Sequence, residues 1–374
     1  MLRILKRLIY QCLVKQKIKL PKVSLKNNGK VGFSIYLPMD GQKYQDRFRD
    51  RRISQPLSAM LFADGVGTND IFGFKSFDFI SNPLGLRLGL SDMTITDHTI
   101  EIMKGVVWDY EKYPQALISG DTGSGKSFFL FSLLNGLIKS GAIVDVADPK
   151  ETDLSVLGKT ASLKYRVTYG RDRILKSFYR FYLKMIKRGR EYHDLLNDNL
   201  EENVGNYRKY GLKPHFFVFD EFGAFVSGLK YNESEAIQQI LGQITMLGRQ
   251  LGYFVAIAMQ KPTADTIGSA SRDQFQFRVA LGKMKSSGLS MMFPDDVDEV
   301  QFKELSKNLK GWGYLAMTPG QARSFFAPVI PKDFVPFKYF DELGQQYPAS
   351  PVEPMGEIKE FLASKSAKYV ELNF

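Results

Sequence analysis

Gly120-Asp121-Thr122-Gly123-Ser124-Gly125-Lys126-Ser127 decides how this chain is read, because it satisfies the pattern GxxxxGK[ST] in full. Glycines are needed there so that backbone N–H groups can close round phosphate oxygens with no Cβ in the way, and the N-terminus of the following helix adds partial positive charge. The flanks have the mechanics the motif requires. QALIS (115–119) precedes it as a short apolar strand, and SFFLFSLLNGLIK follows it as a helix. In this reading residues 120–127, with Phe128 next to them, bind nucleotide, Lys126 reaches the β- and γ-phosphates, and Ser127 ligates Mg²⁺.

Working outward, HFFVFDEF (215–222) is an apolar strand ending in Asp220 and Glu221. An acid at the tip of a buried strand has a desolvation problem unless it meets a cation, and the Mg²⁺ held by Ser127 is the obvious one. Glu221, one residue on, is placed to orient or deprotonate an attacking water. YFVAIAMQKP (253–262) then presents Gln260 at a strand end, where a neutral amide can sense the γ-phosphate; a Gln that merely caps the strand is the plainer alternative.

From about residue 114 short apolar strands alternate with longer helical segments. Strands are expected at 115–119, 142–147, 215–220, 253–259 and 276–281, and helices at 126–140, 172–196 and 234–251. That alternation implies an α/β fold with a mostly parallel sheet covered on both faces, whose functional loops lie at the strands' C-terminal ends. Earlier, residues 15–100 give short apolar runs broken by Gly, Asn, Asp and Pro, which suggests a small β-rich module, and residues 2–14 read as a short amphipathic basic helix. The expected domains are 1–100, a motor domain at 101–330 with a hairpin around Thr318–Gln321, and a Pro-spaced tail at 331–374.

With 374 residues, 44% of them hydrophobic and 24% charged, the chain can bury a real core, and whole-chain disorder is excluded. The single Cys12 cannot form an internal disulfide, and three His with no Cys/His cluster give no zinc site. No apolar stretch approaches the length that spans a bilayer, and MLRILKRLIYQC lacks a secretory signal's pattern, so a cytoplasmic setting is expected. The formal net charge of +11 is not spread evenly: residues 1–52 hold 14 Lys/Arg against three acids, which accounts for all of it. A basic end on a neutral body points to a polyanion, nucleic acid or an acidic membrane surface.

Three arginines are candidates to act in trans on a neighbouring subunit's nucleotide: Arg249, Arg272 and Arg278, with Arg272 and Arg278 preferred. Helix 172–196 is rich in Lys and Arg, yet Leu175, Tyr179, Tyr182 and Ile186 recur at helical spacing. It therefore reads as a core stripe beneath a solvated basic face rather than as a DNA surface.

GDTGSGKS, VDVADPKETDLSVL (144–157), FVFDEF and AMQKPTADTIGSASRDQFQFRVAL together resemble the FtsK/SpoIIIE group of DNA-translocating ATPases, most of all the coupling ATPases of Gram-positive conjugative plasmids and integrative elements. The likeness covers roughly residues 100–330. It implies a RecA-like P-loop core, a hexameric ring, ATP hydrolysed between subunits, and double-stranded DNA moved through the pore. The same family roles fall on Lys126, Ser127, Asp220, Glu221 and Gln260. Membrane segments typical of the family are not found here, so anchoring at the membrane's inner face would need a partner or the basic N-terminus; a relaxase or membrane-anchored transfer proteins are the partners the resemblance implies. The tail after 330 is short for the family's sequence-reading winged helix, which favours a mobile-element role. A protein-export ATPase of the same architecture and a nucleotide-switched scaffold of low turnover are the alternatives.

Overall fold

The computed structural model describes residues 83–198, 205–263, 266–296, 310–317 and 322–372, together with short segments of the first 80. The basic stretch 1–52, most of the expected helix at 2–14 and the turn at 318–321 lie largely outside the described residues; of the helix, residues 6, 7 and 9–11 are helical.

Four strands, β1 (Ser24–Asn27), β2 (Gly32–Pro38), β3 (Asp64–Ile71) and β4 (Phe74–Ile80), pair antiparallel in the order β1-β2-β4-β3, which is the β-rich N-terminal sheet expected from the broken apolar runs. A hairpin follows, β5 (Thr99–Met103) with β6 (Val106–Asp109).

The rest of the chain is mixed α/β. In chain order it runs β7 (Ala116–Gly120), α1 (Lys126–Lys139), β8 (Ile143–Ala147), β9 (Val167–Thr168), α2 (Arg171–Asp198), β10 (His215–Phe219), α3 (Phe222–Ser227), α4 (Tyr231–Leu251) and β11 (Tyr253–Met259). It continues through α5 (Ser269–Asp273), β12 (Phe277–Leu281), α6 (Ser286–Met292), β13 (Trp312–Ala316), β14 (Arg323–Phe326), α7 (Pro336–Gln346) and α8 (Met355–Ser364). The eight-stranded sheet has the order β14-β13-β12-β7-β11-β10-β8-β9. From β12 to β9 neighbouring strands are parallel, and β13 and β14 close one edge antiparallel.

Every residue of β7, β10 and β11 is buried, as a parallel sheet covered on both faces requires. Alternation along β10 shows the two covers. Phe216 packs edge-on to Trp108 of β6 and stacks on Phe254, while Phe217 turns the other way and meets Phe178 and Phe181 of α2. Trp108 also stacks on Phe277, with ring centroids 4.4 Å apart, so the β5–β6 hairpin seals one face of the sheet.

The stretch read as a Pro-spaced tail holds α7 and α8. Two of its prolines stand where a helix tolerates them: Pro336 opens α7 and Pro354 is the N-cap of α8, positions with no intrahelical N–H to lose. Both helices are tied to the core. The Ala161 N–H donates to Asp341, Tyr339 Oη donates to Asn135 of α1, and Lys187 of α2 pairs with Glu353. Among the described residues no helix is long and apolar enough to cross a membrane.

Candidate nucleotide site

Parallel register carries the chemistry to one edge of the sheet. Leu281 lies opposite Gly120, Met259 opposite Ser119, and Phe219 opposite Ala147. The residues that follow those strands therefore share one edge: the glycine loop after β7, Gln260 after β11, Asp220 and Glu221 after β10, and Asp148 and Lys150 after β8.

The glycine loop turns tightly into α1. Its N-cap, Gly125, has φ 100°, and a Cβ there would come within 2.8 Å of the Gly311 nitrogen, so no other residue fits. The Gly311 N–H donates to the Ser124 carbonyl at 2.8 Å, which braces the loop from behind. A Cβ on Gly120 would lie 2.5 Å from Ser124 Oγ. Helix geometry leaves the first N–H groups of α1 without intrahelical acceptors, and the Ser124 hydroxyl is buried with no hydrogen-bond partner. The loop is thus a ring of donors still to be met, as an anion site at a helix N-terminus is.

Lys126, in the first turn of α1, ion-pairs with both acids: Nζ meets Glu221 Oε1 directly and lies 3.2 Å from Asp220 Oδ1. All three side chains are nearly enclosed. Burial pushes the Asp220 carboxyl above the usual carboxylate range, with the Lys126 ammonium pulling the other way. The Asp220 N–H continues the ladder to the Ala147 carbonyl, and its Oδ1 accepts from the Glu221 N–H at 3.0 Å. Glu221 itself is left-handed, with φ 51°, a conformation that costs a side-chain-bearing residue about 1 kcal/mol or more and that turns the chain from β10 into α3.

Gln260 stands at the tip of β11, half-buried, its backbone carbonyl accepting from Ser119 Oγ at 3.1 Å. Ser127 follows Lys126 in the same turn of α1. A carboxylate and a hydroxyl are hard oxygen donors that fit Mg²⁺, which takes one or two protein oxygens and completes its shell with phosphate and water. Among the described residues no group of three or more His, Cys, Asp or Glu is arranged to hold a metal by itself, so Ser127 and Asp220 would hold the ion only together with a nucleotide.

The arginine candidates stay apart from this cluster. Arg278, near the start of β12, donates to the carbonyls of Phe275, Met292 and Arg272. Arg272, in α5, points at Met291 Sδ with Nε buried and unpartnered but for Asp273 Oδ1 at 4.0 Å. Arg249 is exposed on α4. The basic face of α2 is occupied as well: Lys184 and Lys187 meet Glu353, and Arg188 donates to the Lys213 and Leu251 carbonyls. One member of the site went unassigned in the sequence. Lys150 Nζ lies 3.1 Å from Glu221 Oε2, and its only sequence signal was the Asp148-Pro149-Lys150 triplet at another strand tip.

No family model matches the chain. Among curated proteins it is 33% identical over 300 residues to an FtsK domain-containing protein, YdcQ, of Bacillus subtilis, covering 80% of this chain and 60% of that one. It is 23% identical over 190 residues to the DNA translocase FtsK of Oceanobacillus iheyensis, covering 47% of this chain and 24% of that one. The chain therefore spans less than two thirds of these relatives' own length. Among solved structures, the monomer form of the pCW3 conjugation coupling protein TcpA with ATPγS superposes with TM-score 0.54 at 17% identity, over 88% of this chain and 96% of that one, a likeness of fold.

Proposed function

As a member of the FtsK/SpoIIIE family, the chain is, we propose, an ATP-driven DNA translocase that works as a ring of copies and serves the transfer of a mobile genetic element. The observation that carries this reading is the convergence of Lys126, Asp220 and Glu221 at the mouth of the glycine loop. In the nucleotide-bound state Lys126 leaves the acids for the β- and γ-phosphates, and the loop's N–H groups surround the phosphate oxygens. Ser127 and Asp220 would hold Mg²⁺, which would supply positive charge against those oxygens. Glu221 orients the attacking water and accepts its proton, and Gln260 senses the γ-phosphate from the tip of β11.

DNA as the object moved is supported by the relative named a DNA translocase and by the basic first 52 residues, each phosphate contact of which steepens the salt dependence of duplex binding by about 0.9 in log–log slope. Arg272 is the arginine kept as the candidate to act on a neighbour's nucleotide, since the guanidinium of Arg278 is already shared among three carbonyls. A relaxase or a membrane-anchored transfer protein would be its partner.

The test is the rate of ATP hydrolysis with and without duplex DNA, alongside mass at rising concentration. Stimulation by DNA in the wild type, with hydrolysis reduced at least about 10²-fold and nucleotide binding retained in Glu221→Gln, is the expected result. Hydrolysis that ignores duplex DNA and answers to a peptide instead would replace DNA by protein as the cargo. Equal, slow turnover by both proteins would leave a nucleotide-switched scaffold.

A further inference from the structure

We propose that Lys150 is a positioning residue that keeps Glu221 paired when Lys126 leaves it for the nucleotide, an inference that rests on the ATPase reading above. Glu221 is bracketed by two ammonium groups, Lys126 on Oε1 and Lys150 on Oε2, the latter at 3.1 Å. The two lysines differ in how they are held. Lys126 belongs to the phosphate loop and is almost enclosed, whereas the Lys150 side chain is 42% exposed and comes from the loop after β8.

That loop is fixed by a buried anchor. The Asp148 carboxylate accepts from the N–H groups of Lys150 at 3.2 Å, Thr152 at 2.8 Å and Ser155 at 3.0 Å, and Pro149 fixes one more backbone angle between them. The backbone of Lys150 is therefore set independently of any nucleotide, while the position of Lys126 changes with it.

One ammonium cannot satisfy the phosphates and remain the sole partner of Glu221, whose side chain is only 7% exposed, and a carboxylate so enclosed is costly without a cation. With Lys150 on Oε2, the departure of Lys126 uncovers Oε1 alone. The carboxylate keeps one fixed oxygen and offers the other to water, which is the orientation a base needs. Lys150 thus lowers the cost of bringing Lys126 to the nucleotide and also sets the rotamer of the base.

The experiment uses the full chain as wild type, Lys150→Gln, Lys150→Arg, Glu221→Gln and the double variant Lys150→Gln/Glu221→Gln. Two readouts are taken: steady-state ATP hydrolysis, and affinity for a fluorescent non-hydrolysable ATP analogue with Mg²⁺. Lys150→Gln is expected to lower kcat about tenfold or more and to weaken analogue binding about threefold to tenfold, with Lys150→Arg restoring most of both. In the Glu221→Gln background the same substitution should leave analogue binding unchanged, because no carboxylate remains to be paired. Wild-type behaviour of Lys150→Gln in both readouts overturns the proposal, and so does a binding loss of equal size with or without Glu221. If the wild type binds the analogue and hydrolyses nothing, the ATPase reading fails by itself, and the binding cycle still decides the role of Lys150.

Discussion

Asp220 Oδ1 lies 3.2 Å from the ammonium of Lys126, although the two residues belong to different strand tips separated by β11. The same ammonium meets Glu221, so one cation of the glycine loop pairs with both acids of the neighbouring turn, while Lys150 reaches the far oxygen of Glu221. The candidate nucleotide site is thus closed on itself by its own charges.

Removing that cation separates two effects. Lys126→Met should abolish binding of ATP with Mg²⁺, and it should also destabilise the nucleotide-free protein by about 1–3 kcal/mol, because Asp220 and Glu221 are left enclosed with Lys150 as their nearest cation. Urea midpoints and calorimetric ATP titration measure the two. An unchanged midpoint would mean that the ion pairs contribute nothing to the fold.

Gly125→Ala tests the shape of the loop rather than its charge. The left-handed backbone and the approach of the Gly311 nitrogen both oppose a methyl group, so a stability loss of about 1–3 kcal/mol and loss of nucleotide binding are expected. Nucleotide affinity within a factor of two of wild type would show that the loop yields without cost.

Acid should weaken the fold through a second, buried network. His215 Nε2 and Arg166 both bond the Asp145 carboxylate at 2.8 Å, and Arg166 donates onward to the carbonyls of Ser350 and Pro351. Burial pushes the His215 imidazole down to about 4. Burial would raise Asp145, but His215 and Arg166 overcome it and hold the carboxyl at about 2. Both folded values lie below the unfolded ones, so the unfolded chain binds more protons in acid and stability falls with falling pH. The His215 part is lost between its ordinary 6.5 and about 4, the Asp145 part between 3.8 and about 2. A decline of about 1–3 kcal/mol from pH 7 to pH 4.5 is expected, flattened in His215→Asn and measured by urea titration at each pH.

The lysines of α2 should matter to the fold and not to DNA. Lys187→Gln removes a partner of Glu353 in a part-exposed pair, at a cost of about 0.5–1 kcal/mol, with duplex affinity and its salt slope unchanged. A reduced salt slope would return that helix face to the DNA-binding surface.

Much of this architecture is legible locally. FFVF after His215 and the whole of YFVAIAM are apolar, so the strands at 215–219 and 253–259 and the acids beyond the first announce themselves without any partner in view. The glycine loop is legible for the same reason, since its requirement is a local backbone one. Three features needed the folded chain because they join residues far apart in sequence. Lys150 meets Glu221, Gly311 supports Ser124, and Glu353 covers the lysines of α2. Charge alone suggested a trans-acting role for Arg278, while its three carbonyl partners become visible only when β12 is placed beside α5 and α6. The prolines after 330 mark a Pro-spaced tail, but composition does not say which of them start helices.

The contact from Gly311 to Ser124 gives the antiparallel rim of the sheet a direct hold on the phosphate cradle. Gly311 leads straight into β13, and the guanidinium of Arg87 lies against it while donating to the Ala327 carbonyl beyond β14. Rim and cradle therefore share one hydrogen-bonded peptide, so the shape of the loop depends on where the chain enters β13.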